Sequence, residues 1–187
     1  MGRSSQTPDP QDGSAARIRR AGRADIEALA AVHLASWQAG YRGMMPQDAL
    51  DALTADEFTA IWNARIEEDG RETYIYFSGE RAVGFVSFGP CRDDGADDRP
   101  IAEIYGLYVA GDAWGRGHGR DLLQLAVNQL QSTGFMAVML WVLRDNDRAR
   151  RFYEMAGFQL DMDGKKLVRR FDTDLHHVRY RRTLAPA

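Results

Sequence analysis

The sequence of 187 residues has little cysteine and no long apolar run: Cys91 is the only cysteine. A single cysteine excludes an internal disulfide and any metal cluster held by several cysteines. No run approaches the roughly 18 apolar residues that mark a membrane-spanning helix, and the N-terminus lacks the apolar core of a signal peptide. We therefore expect a cytoplasmic protein that does not associate with a membrane.

The sequence also lacks an excess of basic residues. It has 24 Lys and Arg against 27 Asp and Glu, which gives a formal net charge of −3. A nucleic-acid-binding domain is expected to be basic, so we expect no nucleic-acid partner. The metalloprotease motif HExxH is absent as well, and the adjacent His176 and His177 would point to opposite faces of a strand. We therefore expect no metal.

The length and the 44% hydrophobic content fit one well-buried domain. Residues 1–15 are rich in Ser, Pro, Asp, Gln and Gly and have almost nothing to bury, which predicts a disordered tail. The single domain is then expected to span residues 16–187.

Hydrophobic periodicity and turn residues predict the elements along this domain. Thr54 to Glu57 has the pattern of a capping box, which opens a helix that runs to about Glu68. The predicted strands are 16–21, 72–78, 81–89, 101–109, 135–143, 158–162 and 175–184, and the main helices are 25–41, 54–68, the segment after Gly117, and 146–157. An acidic loop is predicted from Cys91 to Pro100. The order predicts an α/β protein with a mixed sheet, helices on both faces and no doubly wound topology.

The clearest local pattern is a strand followed by a glycine-rich loop and an amphipathic helix. Gly115, Gly117 and Gly119 alternate just before the helix begins, where glycine allows close approach to the backbone. Free N–H groups and the positive end of the helix dipole make such a helix start an anion site. Arg116 and Arg120 add positive charge. The pattern predicts a phosphate site, and the alternative is a plain strand-to-helix turn.

Two known phosphate-binding patterns do not fit this loop. GxxxxGK[ST] is absent, and the spacing is GxGxG rather than GxGxxG. The window from Trp114 to Gly119 instead resembles the acyl-CoA loop of the GNAT superfamily of N-acetyltransferases, [RQ]-x-x-G-x-[GA]. Trp114 departs from this pattern, because it stands where the family usually has Arg or Gln.

Two further segments carry the resemblance. Residues 146–158, NDRARRFYEMAGF, resemble the family segment N-x-x-A-x-x-[FL]-Y-x-x-x-G-F. SWQAGYRGMMP, residues 36–46, resembles a segment that borders the acceptor site in bacterial members. With these segments the resemblance covers roughly residues 16–184.

The resemblance implies the GNAT fold, a mostly antiparallel splayed sheet flanked by helices. Two neighbouring strands, 101–109 and 135–143, would separate and admit acetyl-CoA as the acyl donor. The residues implied for cofactor binding are Leu107, Tyr108, Val109, Trp114, Gly115, Arg116, Gly117, His118, Gly119, Arg120 and Asn146. Asn146 is also a candidate helix N-cap, and both roles are compatible.

Acetyl transfer to an amine needs a base, a polarised carbonyl and an acid. Glu103 is an ionisable residue in an apolar strand and stands where the family often has its general base; the alternative is a structural salt bridge with an Arg from the hairpin. Tyr153 matches the family tyrosine that would protonate the thiolate, and the alternative is a core aromatic. A backbone amide near Val109 would polarise the carbonyl, and Gly106 is consistent with a local distortion there.

The acceptor site is harder to predict. Trp37, Tyr41 and Tyr105 are the candidate substrate residues, and Trp62 and Tyr74 are weaker ones, since aromatics at such spacings also build cores. His33 is expected to be a core histidine with satisfied nitrogens. The acidic loop would attract a cationic amine, or is simply a solvated loop.

The sequence thus predicts an N-acetyltransferase that moves an acetyl group from acetyl-CoA to a primary amine of a small molecule. One alternative is a protein N-terminal or lysine acetyltransferase. A second, from another class, is a non-catalytic acyl-CoA-binding sensor. The expected partner is the amine acceptor, and a homodimer is left open.

Overall fold

The computed structural model describes residues 17–93 and 100–185. The predicted tail, residues 1–15, and most of the predicted acidic loop lie outside the described residues, so both stay predictions. None of the helices in these two ranges combines the length and the apolar content that crossing a membrane requires.

The elements follow the predicted order, with one additional short helix. The strands are β1 (Arg17–Arg20), β2 (Glu72–Ser78), β3 (Arg81–Pro90), β4 (Ile101–Val109), β5 (Ala137–Leu143), β6 (Gln159–Arg170) and β7 (Thr173–Thr183). The helices are α1 (Ile26–Gly40), α2 (Gln47–Asp51), α3 (Ala55–Arg65), α4 (His118–Ser132) and α5 (Asp147–Met155). Thr54 and Glu57 form the predicted capping box at the start of α3, and the sequence analysis did not predict α2.

The seven strands form one mixed sheet in the order β1-β2-β3-β4-β5-β7-β6. All neighbours are antiparallel except β4 and β5, which are parallel. One core packs α4 and α5 against one face of the sheet, with Leu122, Ala126 and Tyr153 among its buried residues. A second core packs α1, α2 and α3 against the other face. The predicted mixed sheet with helices on both faces is confirmed, and this is the arrangement of the GNAT fold.

The parallel pair separates halfway along its length. Ile101 to Ile104 of β4 pairs with Ala137 to Leu140 of β5, and no pairing continues beyond Ile104. At this point the register between β3 and β4 shifts, because Phe88 faces Ile104 whereas Ser87 faces Gly106. Tyr105 is therefore the extra residue of a β-bulge, which bends a strand and increases its twist. The distortion expected next to Gly106 is present, and it turns the second half of β4 away from β5.

The last hairpin is longer than predicted. The sequence analysis expected strands 158–162 and 175–184, but β6 runs to Arg170, and Phe171 and Asp172 form the turn with positive φ angles of 50° and 53°. The sequence did not show this because β6 is an exposed edge strand whose polar residues lack the alternation of a half-buried strand. A register shift between Asp161 and Lys165 also interrupts its pairing with β7.

Candidate active site

The gap between β4 and β5 opens into a cavity of about 1050 Å³. Its walls come from the second half of β4, the glycine loop, the start of α5, the end of α1 and the β6–β7 hairpin. Small-molecule sites are usually clefts of about 300–1000 Å³, so this cavity has room for a large ligand or for two ligands. It joins the glycine loop to Glu103 and Tyr153, the two predicted catalytic residues.

The glycine loop is the start of a long helix, as predicted. Gly115 and Gly117 have φ angles of 73° and 89°, in the left-handed region, and Gly117 is the N-cap of α4 without any side-chain cap. Neither glycine has another atom within 4 Å of where a Cβ would be, so the loop backbone is open to a ligand. The first N–H groups of α4 therefore face an unobstructed space, which fits a phosphate group.

Trp114 takes a specific place in this loop. Its Nε1 donates a hydrogen bond of 2.7 Å to the carbonyl oxygen of Val109, which ties the loop to the end of β4. The guanidinium carbon of Arg148, from α5, lies 3.1 Å from the centroid of the Trp114 ring. The residue that departs from the family pattern thus connects the two sides of the gap through a cation–π contact.

The residues implied for cofactor binding line the cavity, with Arg116 as the exception. His118 contributes to the wall but is 9% exposed and packs against Tyr76, with ring centroids 4.5 Å apart. Asn146 caps α5, because its Oδ1 accepts a hydrogen bond of 3.0 Å from the N–H of Ala149. Its predicted N-cap role is therefore confirmed, and its position in the cavity wall is compatible with the second role.

Glu103 is 3% exposed and forms an ion pair with Arg92, which follows β3 directly. Its Oε1 accepts a hydrogen bond of 2.6 Å from Nη2 of Arg92, and its Oε2 accepts from Nε at 3.0 Å and from the backbone N–H at 3.2 Å. This interaction raises the pKa of the Arg92 guanidinium. A structural salt bridge, the alternative that the sequence analysis gave for Glu103, is present, but its partner is Arg92 from the loop after β3 and not an Arg of the hairpin. Because Glu103 also lines the cavity, its role as a base stays a prediction.

Tyr105 lies between two arginines at the acceptor end of β4. The guanidinium carbons of Arg71 and Arg92 lie 4.2 and 4.1 Å from its ring centroid. Its hydroxyl donates a hydrogen bond of 2.6 Å to the carbonyl oxygen of Pro90. Arg71 is 7% exposed and donates to Ser87 and Glu68. The bulged residue is therefore held firmly, and Arg92 is fixed over both Tyr105 and Glu103.

Besides Tyr105, the tyrosines Tyr41, Tyr108 and Tyr153 line the same cavity. Burial, and secondarily Tyr108, raises the pKa of Tyr153, which is 8% exposed. Burial and a hydrogen bond with Tyr108 also raise the pKa of Tyr41. Tyr41 and Tyr153 therefore carry their protons at neutral pH, which is the state that a proton donor needs.

The predicted substrate residues Trp37, Tyr41 and Tyr105 all line the cavity, whereas Trp62 and Tyr74 do not. Trp62 belongs to the core under α1, and Tyr74 stacks on Phe88 with ring centroids 5.9 Å apart. The first three thus stay candidates for acceptor contacts, and the other two are structural.

His33 is a core residue, but the expectation that its nitrogens are satisfied is wrong. The ring is 8% exposed and neither nitrogen has a hydrogen-bond partner among the described residues. Phe58 and Tyr108 pack against it, with ring centroids 4.4 and 4.6 Å away. This burial lowers the pKa of His33 to about 3. The sequence pattern showed the apolar helix face but not that five aromatic rings lie around His33.

Residues 17–93 and 100–185 contain no group of three or more His, Cys, Asp or Glu that could hold a metal ion. His176 is exposed on β7, whereas His177 lines the cavity, and its Nδ1 donates a hydrogen bond of 3.2 Å to the carbonyl oxygen of Leu175.

Sequence reasoning missed three cavity arginines, Arg92, Arg148 and Arg170. Arg92 was within reach, because an antiparallel register that pairs β3 with β4 brings the residues after Pro90 close to Ala102. Arg148 lies two positions after the start of the predicted helix 146–157, where a helical wheel would have shown it. Arg170 gave no signal, since its place depends on the true length of β6.

Known proteins are similar to this chain over the segment that contains the glycine loop and Tyr153. The pattern of the Acetyltransferase (GNAT) family matches residues 34–158. An uncharacterized N-acetyltransferase of Bacillus subtilis is 32% identical over 130 residues, which cover 69% of this chain and 72% of the relative.

Two solved structures have the same fold. One is the PaiA N-acetyltransferase of Thermoplasma acidophilum in complex with coenzyme A, with a TM-score of 0.71 and 19% identity over 90% of this chain and 99% of the other. The second is an acetyltransferase of Salmonella typhimurium with its cofactor acetyl-CoA, with a TM-score of 0.66 and 21% identity over 92% and 96%. Together with the splayed sheet and the family match over most of the chain, they lead to one conclusion: the chain belongs to the GNAT family of acetyltransferases.

Proposed function

We propose that this protein transfers an acetyl group from acetyl-CoA to a primary amine of a small molecule. The observation that carries the proposal is that one cavity joins the glycine loop, Glu103 and Tyr153. The two similar solved structures contain coenzyme A or acetyl-CoA, which supports this donor.

The glycine loop fits the pyrophosphate of the donor. Its backbone is open at Gly115 and Gly117, and the N-terminus of the 15-residue helix α4 supplies free N–H groups and a positive dipole end. The side chain of Arg120 lines the same part of the cavity. Asn146 and Trp114 border the gap through which the arm of the donor would pass.

Glu103 would take a proton from the ammonium group of the acceptor. A carboxylate has about four lone-pair sites, and Arg92 occupies three of them through its three N–H donors. One site remains for the amine or for a bridging water. Arg92 thereby fixes the direction of the remaining lone pair, which is the positioning that general-base catalysis needs.

Tyr153 would supply the proton that the departing thiolate needs. The amine nitrogen forms a bond with the carbonyl carbon while the bond from that carbon to sulfur breaks, and the electron pair leaves on sulfur. Because burial raises the pKa of Tyr153, the hydroxyl is fully protonated beforehand. The ammonium group would lose one proton to Glu103 before the attack, and Glu103 would release it to water. Tyr153 would give its proton to sulfur, and the second proton that the bonded nitrogen loses would restore the Tyr153 hydroxyl.

The cavity size supports a small acceptor. About 1050 Å³ is already near the upper end for small-molecule sites, and the donor arm would take part of it. The loop between α1 and α2, with Met44 and Met45, bounds the acceptor end together with β6.

A thiol-release assay with acetyl-CoA tests the proposal on amines, amino acids, aminoglycosides and peptides. We expect coenzyme A release that depends on a small amine. Release only with peptides would favour the protein acetyltransferase. Tight coenzyme A binding without release on any acceptor would identify a sensor and overturn the proposed activity.

A further inference from the structure

The inner face of β6 presents positive charge to the acceptor end of the cavity. Lys166, Val168 and Arg170 alternate along the strand, so their side chains share one face. All three line the cavity. This wall adjoins Trp37, one of the predicted acceptor residues, and the proposed acetyl transfer does not use its charge.

Three described carboxylates are already paired: Glu103, which lines the cavity, and Asp161 and Asp93, which do not. Glu103 pairs with Arg92 at 2.6 Å, and Asp161 pairs with Arg179 at 2.9 Å. Asp93 accepts a hydrogen bond of 3.1 Å from Trp141 and lies 3.6 Å from Arg179.

The two acids at the start of α5 that line the cavity are also engaged. Asp145 pairs with Arg144 at 3.1 Å, and Asp147 lies 3.7 Å from Arg150.

Lys166 and Arg170 have no carboxylate partner among the described residues. They contact aromatic rings instead. The guanidinium carbon of Arg170 lies 4.3 Å from the ring centroid of Trp37 and 4.9 Å from that of Phe171, and Nζ of Lys166 lies 5.2 Å from that of Trp141. Ring stacking holds a guanidinium in place while its N–H edge stays available for an anion.

The outer face of the same hairpin shows the opposite arrangement. Arg169, which neighbours Arg170, lies 3.6 Å from Asp172 and 3.4 Å from Asp174. The acids at the hairpin tip therefore neutralise the outward arginine, whereas no described carboxylate pairs with the inward one. The contrast between two adjacent arginines shows that the free charge belongs to the cavity side.

We propose that the acceptor amine also carries an anionic group, a carboxylate or a phosphate, which Arg170 binds directly. This inference rests on the proposed function and narrows its substrate class. Residues 166 and 170 lie about 13 Å apart along an extended strand, so one small anion is bound by one of them. Arg170 is the contact because Trp37 and Phe171 hold it, whereas the exposed Lys166 adds a longer-range attraction.

This arrangement also argues against a plain cationic amine as the best acceptor. An ammonium group alone would meet the unpaired charges of Arg170 and Lys166, which repel it. An acceptor with an anion balances the guanidinium and leaves its amine directed toward Glu103. The acidic loop, predicted to attract a cationic amine, lies outside the described residues and has no part in this inference.

The test compares matched pairs of acceptors in the thiol-release assay. The carboxylate series is glycine, β-alanine and γ-aminobutyrate, each against its carboxamide, and the phosphate pair is phosphoethanolamine against ethanolamine. For at least one pair, we expect kcat/KM of the anionic probe to exceed that of its neutral partner about tenfold or more. This ratio corresponds to the free energy of one hydrogen bond to a charged group. Arg170→Gln should remove this preference, mainly through KM, while Arg169→Gln should keep it.

The outcomes separate the two proposals. Equal use of anionic and neutral partners, or a preference that Arg170→Gln leaves intact, overturns the anion inference and leaves the acetyltransferase standing. No release from any probe or other acceptor counts against the proposed function. In that case calorimetry decides the anion inference: weaker binding of the anionic probes to Arg170→Gln supports it, and equal or no binding to both proteins overturns it.

Discussion

The cavity has a proposed donor half and a proposed acceptor half, and different chemical groups line them. The donor half is the glycine loop with the starts of α4 and α5, where backbone N–H groups are proposed to bind the donor. The acceptor half is a set of side chains from β3, β4, β6 and α1, held by ion pairs and ring contacts. Every chain has backbone N–H groups, whereas the contacts of the acceptor half depend on which side chains the sequence supplies.

This difference determines which substitutions each half tolerates. A backbone site needs only glycines and a helix start, so it tolerates substitution of nearby side chains. The acceptor half depends on pairs such as Arg92 with Glu103, in which the loss of one partner leaves a buried charge. Single substitutions should therefore alter acceptor chemistry strongly, and the donor half should respond only where the backbone or its charge is altered.

The largest effect is expected in the acceptor half, at Glu103. Glu103→Gln keeps the shape but cannot accept the proton, so kcat/KM should fall by about 10² to 10⁴ at neutral pH. The loss should shrink as pH rises, because more of the amine is then already neutral. Initial rates between pH 7 and pH 9.5 would measure this.

A structural role for Glu103 predicts another outcome. The glutamine would then lower thermal stability and leave the shape of the pH profile unchanged, since the buried Arg92 contact is weakened in either role. Arg92→Gln, which removes the partner and keeps the carboxylate, serves as the comparison. A glutamine variant with wild-type turnover would remove Glu103 from the mechanism.

The next effect is expected in the donor half, at Gly119. A Cβ there meets Phe152 and Leu107 at ordinary distances of 3.6 and 3.7 Å, so Gly119→Asp should fold, whereas Gly117 has a positive φ that would add strain. A carboxylate about 4 Å from the donor phosphate costs up to about 4 kcal/mol, so affinity should fall roughly 100-fold or more. Calorimetry with coenzyme A measures this.

Gly119→Asn is the matched control, because it has the same size without the charge. It should lose far less affinity than the aspartate variant. If the two variants bind coenzyme A as the wild type does, the phosphate does not lie at this loop.

A smaller effect is expected where the two halves meet, at Tyr153. Tyr153→Phe keeps the ring and removes the hydroxyl, so turnover should fall at least about tenfold. Coenzyme A binding should change by no more than one hydrogen bond, about 0.5 to 1.5 kcal/mol. Tyr74→Phe, outside the cavity, is the control and should change neither quantity. If Tyr153→Phe turns over as fast as the wild type, Tyr153 is not the acid, and Tyr41 and Tyr108 become the candidates.

The smallest expected effect is on the pH dependence of the free energy of unfolding, and it comes from His33. Its folded-state pKa of about 3 lies below the ordinary 6.5, so between these values the unfolded state binds a proton that the folded state does not. Stability should fall as pH drops below 6.5, by at most about 1.4 kcal/mol per pH unit from this residue. His33→Leu should flatten the pH dependence of urea unfolding between pH 6.5 and 4.5, and His176→Gln should not. Parallel curves for wild type and His33→Leu would contradict this.

Much of the fold could be predicted from the sequence, because its central elements have strong local patterns. The apolar stripe of α4, the glycines before it and the capping box at Thr54 are all local, and each is found where expected. The hairpin of β6 and β7 was predicted too short, since an exposed edge strand has no apolar face to show its length.

The candidate site likewise has one part that the sequence could predict and one part that it could not. The glycine loop could be predicted as a helix start because its conformation depends on glycines and an apolar stripe that are close in sequence. The partners of the acceptor half could not, because Arg92 reaches Glu103 only through the β3–β4 register, and Arg170 reaches Trp37 only through the hairpin's full length. These contacts join residues that are far apart in sequence.

Hydrogen exchange upon addition of coenzyme A tests the division into two halves most directly. The account predicts slower exchange of the amides from Gly115 to Asp121 and at the start of α5, with β6 unchanged until an acceptor analogue is added. Unchanged exchange in the glycine loop at saturating coenzyme A, or protection confined to β6, would contradict it.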